Sequence, residues 1–164
     1  MEIAVCTFDH KAERCAYALS QVEAVLREET DLTSGLANVS AVLNMLLPGL
    51  NWVGFYLLRD GALVLGPFQG KPAVSHIALG AGVCGTAAES GEAQLVPNVH
   101  ACCNHIACDL NSASELVLPI RAGGALYALL DMDSPVINHF DQEDLAGLTS
   151  IADAIGRWIS QIGE

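Results

Sequence analysis

The sequence predicts an α+β fold in which a central antiparallel sheet carries the N- and C-terminal helices on one face and a loop-rich pocket on the other. Three observations predict it. Two stretches with apolar residues at helical spacing come first, and a third closes the chain. Between them lie short apolar runs joined in pairs by tight-turn signals. The intervening residues, about 66–114, are rich in Gly, Pro, Asn and Ser, which predicts loops and short elements over the sheet.

Each element has its own signal. Residues 11–28 place Ala12, Cys15, Leu19, Val22 and Leu26 at helical spacing. A second helix is expected over about 33–47, with Leu36, Val39, Leu43 and Leu46 on one face and Pro48-Gly49 as its stop. The period then changes: "WVGFYLL" and "ALVLGPF" flank "RDGA", where Asp60-Gly61 signals a hairpin. A short helix is expected near "GVCGTAAES". "ELVLPIRAGGALYALLDMDS" reads as two strands joined at Arg121–Gly124. The last helix opens with Asp141 as N-cap, Asp144 three residues on, and Phe140 and Leu145 placed as a hydrophobic staple. Leu145, Leu148, Ile151, Ile155 and Ile159 form its apolar stripe.

Composition narrows the function. With 164 residues, 52% of them hydrophobic and 16% charged, the chain is expected to form one domain with a real core and not to be disordered. Its formal charge of -12 argues against a nucleic-acid partner, which needs clustered Lys and Arg. It also disfavours anionic membranes, while suiting a cationic metabolite. Leu32–Leu58 carries no charge, yet Pro48, Gly49 and Asn51 interrupt it, so a buried helix and strand are expected and not a membrane span. "MEIAVCTFDHK" does not read as a signal peptide. A cytoplasmic protein follows as the expectation, with cysteines kept reduced unless they do chemical work.

The densest chemistry lies in "HACCNHIACD", residues 100–109, which holds three of the six cysteines and two of the five histidines. His100, Cys102, His105 and Cys108 could in principle hold zinc. Structural zinc, however, usually draws on separated ligand pairs, and Cys102 and Cys103 are adjacent. The plain alternative is buried small hydrophobes, which suits Cys6 and Cys15 and also covers Cys102 and Cys103. It suits Cys108 less, because His105 and Asp109 beside it are polar. Cys84 stands between glycines at the expected start of a helix, a position that raises thiol reactivity. Asp131 and Asp133 alternate on one strand and so share a face, with Glu115 on the strand before. They could cap the turn at Ser134-Pro135. They could equally bind an ammonium group or hold a proton for general acid work.

Taken together, "NWVGFYLL", "LGPFQGKPA", "GAGVCGTAA", "HIACD", "SASELVLPI" and "LDMDSP" make the chain resemble the free methionine-(R)-sulfoxide reductases, stand-alone enzymes on a GAF-domain scaffold. The resemblance spans residues 1–164 as a single GAF-like domain. It implies that Cys108 attacks the sulfoxide sulfur and becomes a sulfenic acid, and that Cys84 resolves this as a disulfide. A thioredoxin-type dithiol then regenerates both thiols, with no metal or organic cofactor. It implies that Trp52 walls the substrate's methyl group, with Tyr56 in the same stretch as a further binding residue. Glu115 and Asp131 are expected to hold the ammonium, and Asp133 to assist protonation. Relatives of this kind suggest a homodimer through the terminal helices. The competing reading is a GAF-type ligand-binding or redox-sensing module without catalysis, which would ordinarily adjoin an output domain. The chain departs from the family's pattern at Val74, where a cysteine is common, at Asn98, often aspartate, and at Cys102-Cys103-Asn104, typically Phe-Pro-Gly.

Overall fold

A computed structural model describes residues 3–101 and 111–163. Its elements run α1 (Lys11–Leu26), α2 (Leu32–Leu46), β1 (Trp52–Arg59), β2 (Ala62–Gln69), β3 (His76–Ala78), α3 (Gly82–Ser90), β4 (Gln94–Val96), a 3-10 turn (Val99–Ala101), β5 (Ser114–Ala122), β6 (Ala125–Ser134) and α4 (Gln142–Ile162). The strands form one six-stranded sheet in the order β3-β2-β1-β6-β5-β4. The α+β architecture expected from the sequence is therefore present, with the four long strands where the sequence predicts them. Its edges are finished by β3 and β4, three residues each, which lie in the stretch expected to hold only short elements.

Local chemistry explains the boundaries. Asp31 caps α2 by accepting the Ser34 amide at 2.8 Å. Asp141 accepts the amides of Glu143 and Asp144 while the Asp144 carboxylate accepts the amide of Asp141, the reciprocal cap expected at α4. Phe140 is buried and Leu145 packs on the same apolar cluster. Lys11, at the first turn of α1, bridges to the carboxylates of Asp141 and Asp144, tying the two terminal helices together. Both long hairpins turn on two residues. Gly123 and Gly124, at φ 60° and 85°, join β5 to β6, and Asp60 and Gly61, at 49° and 79°, join β1 to β2. Positive φ at both central positions suits the twist of the flanking strands, which is why glycine recurs there.

One face of the sheet is apolar and covered by helices. Val53 and Phe55 of β1, Leu116, Leu118 and Ile120 of β5, and Ala128, Leu130 and Met132 of β6 point into a core shared with α1, α2 and α4. Trp158 of α4 joins that core and donates its indole N–H to the Glu29 carbonyl between α1 and α2, at 2.8 Å. Cys15 is buried there, as its position on the α1 stripe predicts. Cys6 is not: it is exposed, because it lies in the irregular segment before α1, where its neighbours Val5 and Thr7 are exposed too. No helix among the described residues is long and apolar enough to cross a membrane.

Candidate active site

The opposite face of the sheet is built by the same alternation. In the antiparallel register, Asp133 of β6 stands between Trp52 of β1 and Glu115 of β5. Two residues back, Asp131 stands between Gly54 and Val117. Side chains two apart share a face, so the three carboxylates, Trp52 and Tyr56 come to one side of the sheet. All are withdrawn from solvent: Asp131 and Trp52 are 0% exposed, Asp133 2% and Glu115 4%. The grouping expected from the sequence is thus present on one face.

Aromatic rings wall the β1 side. Trp52 stacks on Phe68 of β2 at 5.3 Å between centroids and 14° between planes, and on Tyr56 at 6.1 Å and 22°. Its indole N–H donates to the Lys71 carbonyl at 3.1 Å, and the Tyr56 hydroxyl donates to the Val74 carbonyl at 2.9 Å. Gly54 makes this stack possible. A Cβ at residue 54 would lie 2.3 Å from the Cβ of Phe68 and 2.8 Å from the Trp52 ring. Phe68 carried no role in the sequence reading. Its signal was its pairing with a glycine across the hairpin, which the sequence alone does not display.

The third wall is α3, whose first turn carries Cys84 as expected. The Cys84 Sγ lies 4.0 Å from Glu115 Oε1. Ligand-type atoms of Cys84, Glu115 and Asp131 fall within 4.8 Å of one another, and this is the one group among the described residues with spacing suited to a metal ion. Neither Asp131 oxygen has a well-formed hydrogen bond among the described residues. Burial pushes the Asp131 carboxyl well above the usual carboxylate range, and the charge of Glu115 adds to the effect. Glu115 is raised likewise, first by burial and then by Asp133. Two buried acids that resist ionisation will release protons when a cation binds beside them.

Cys108, with Cys102, Cys103 and His105, lies outside the described residues. His100, the remaining member of the possible zinc set, is exposed in the 3-10 turn. Two departures from the family pattern have local explanations. Asn98 accepts the His100 amide at 3.0 Å, a capping task that asparagine performs as well as aspartate. Val74, 38% exposed, keeps through its carbonyl the bond to Tyr56 that its side chain does not affect.

A family model described as "GAF domain" matches residues 29–160. The free methionine-R-sulfoxide reductase of Escherichia coli is 44% identical, the match covering 87% of this chain and 86% of that protein. Protein YtsP of Bacillus subtilis is 48% identical, over 87% of this chain and 89% of that protein. The X-ray structure of free methionine-R-sulfoxide reductase from Neisseria meningitidis in complex with its substrate superposes with a TM-score of 0.93 at 37% identity, covering 99% of this chain and 97% of that one. The chain belongs to the GAF domain family and, within it, to the free methionine-R-sulfoxide reductases.

Proposed function

We infer that residues 1–164, acting as one GAF-like domain in the cytoplasm, reduce free L-methionine (R)-sulfoxide to methionine with electrons from thioredoxin or a similar dithiol. The observation that carries this reading is the buried row Trp52–Asp133–Glu115, with Asp131 and Cys84 beside it, in a chain of this family. The aromatic end suits the methyl-sulfoxide group, and the acidic end suits the ammonium of a free amino acid.

Each residue has a role in this reading. Glu115 and Asp131 receive the ammonium, which favours their charged forms and releases their protons. Asp133, between Trp52 and Glu115, passes a proton to the sulfoxide oxygen. Cys108 attacks the sulfur. The oxygen is transferred to Cys108 as a sulfenic acid, and methionine leaves. The Cys84 thiol condenses with that sulfenic acid, water departs, and a disulfide forms that the external dithiol reduces by exchange. An acidic pocket also opposes thiolate formation. The substrate's ammonium offsets this, so Cys108 gains reactivity in the complex more than in the free enzyme. A homodimer through the terminal helices belongs to the same reading.

The test is turnover of free methionine (R)-sulfoxide by the wild type and by Cys108→Ser, beside ligand affinity. The expected outcome is loss of turnover with affinity kept. A wild-type protein that binds the sulfoxide without reducing it would instead be a ligand-sensing module.

A further inference from the structure

We propose that Cys84, Glu115 and Asp131 form a site for one thiophilic divalent cation of the zinc type, which occupies the reduced pocket in place of substrate and so inhibits the enzyme. The site itself stands on geometry. Only its competition with substrate rests on the function proposed above.

Three features carry the inference. First, the ligand atoms are already gathered: one sulfur and two carboxylate oxygens lie within 4.8 Å of one another, all buried. Zinc bonds of about 2.3 Å to sulfur and 2.1 Å to oxygen, at tetrahedral angles, put such atoms about 3.6 Å apart. The Cys84–Glu115 separation of 4.0 Å is close to that value. Second, Asp131 is fully buried and neither of its oxygens has a well-formed hydrogen bond among the described residues, an arrangement that is costly until a cation or proton satisfies it. Third, the ligands come from three elements packed on one another: the paired strands β5 and β6, and α3 against them. A site held by rigid elements needs little rearrangement to bind.

The donor set selects among metals. One thiolate and two carboxylates suit a borderline-soft ion and not magnesium or calcium, which take all-oxygen sites. Three protein ligands leave a fourth position for water, the pattern of exchangeable zinc. Binding ionises the Cys84 thiol and releases its proton, with any proton held by Glu115 or Asp131, to solvent, so the metal–ligand bonds form as the S–H and O–H bonds break, with no change of oxidation state. Oxidation of Cys84 to a disulfide removes the sulfur ligand, so binding is confined to the reduced enzyme.

Cobalt(II) reports on this site directly, because a thiolate ligand adds a near-ultraviolet charge-transfer band. The reduced full chain, kept with a non-thiol phosphine, is titrated with Co²⁺ and then with Zn²⁺. The expected result is one equivalent of Co²⁺ with the band, displaced by Zn²⁺. Cys84→Ser should lose the band, and Asp131→Asn should weaken binding by more than the roughly 10- to 100-fold that an outer contact costs. Cys6→Ser, whose thiol is exposed and outside the site, should leave both unchanged. Absence of the band in the wild type, or its survival in a folded Cys84→Ser, overturns the proposal. Turnover of the metal-free enzyme, measured in parallel, separates the two readings. A protein that reduces the sulfoxide without binding Co²⁺ refutes the metal site alone. One that binds Co²⁺ without reducing the sulfoxide refutes the function and leaves the site standing.

Discussion

The two faces of the central sheet are made from the same strands and face opposite demands. On the helical side, Phe55, Leu116, Leu130 and Met132 are buried among apolar neighbours. One residue away on the same strands, Tyr56, Glu115, Asp131 and Asp133 are buried almost as fully, three of them carboxylic acids. Stability comes from the first face, since each buried aliphatic side chain contributes about 1.5–3 kcal/mol. The second face costs stability, since buried acids without full compensation are unfavourable. On the function proposed above, that face is kept for the substrate's ammonium, and the contrast then separates the residues that hold the fold from those proposed to hold the substrate.

Substitutions on the two faces should therefore diverge. The largest effect is expected at Asp133→Asn, which should lower kcat for free methionine sulfoxide by about 10²- to 10⁴-fold with little loss of folding, as for a general acid. Steady-state kinetics beside a thermal melt checks it. Ile155→Ala, fully buried on the helical side, should do the reverse. It should cost about 2–5 kcal/mol in urea unfolding while the remaining folded enzyme keeps its kcat.

The acidic face also predicts a dependence of stability on pH. Glu115 and Asp131 have folded-state values raised above their unfolded ones, so the folded protein binds more protons in that interval. Their contribution is present at mildly acid pH and is lost as pH rises through the raised values. Asp141 behaves oppositely. The Lys11 ammonium beside it lowers it to about 2, so its contribution is lost as pH falls from the usual carboxylate range towards that value. Urea midpoints should then peak on the acid side of neutrality, and Asp131→Asn should flatten the decline above the peak. The smallest effect is expected at Asp141→Ala, which removes the α4 cap and one partner of Lys11, for about 0.5–2 kcal/mol at neutral pH.

Much of this contrast was legible before the structure. Caps and turns are local, so Asp141 with Asp144, Gly123-Gly124 and Asp60-Gly61 marked their elements directly. Alternation put Asp131 and Asp133 on one face. Edge strands β3 and β4 were not legible as strands, because three residues carry no period, and their pairing is supplied by β2 and β5. Cys6 was misread because composition suggests burial where no packed element covers the residue. The approach of Cys84 to Glu115 and Asp131 joins α3 to two strands, a long-range contact that no periodicity encodes. Pattern marked the residues one by one, Cys84 at a helix start and the acids on their strands, and the family resemblance joined them into one site. Phe68 was missed for the same reason: its stacking on Trp52 depends on Gly54 across a hairpin.

In the proposed function, the acidic face recognises the charged amino group of a free amino acid. Thioredoxin-coupled NADPH consumption, comparing methionine (R)-sulfoxide with its N-acetyl form, tests it most directly. Acetylation is expected to lower kcat/KM by about 10²-fold or more, because the buried carboxylates lose their cation. Equal turnover of the two substrates would contradict it.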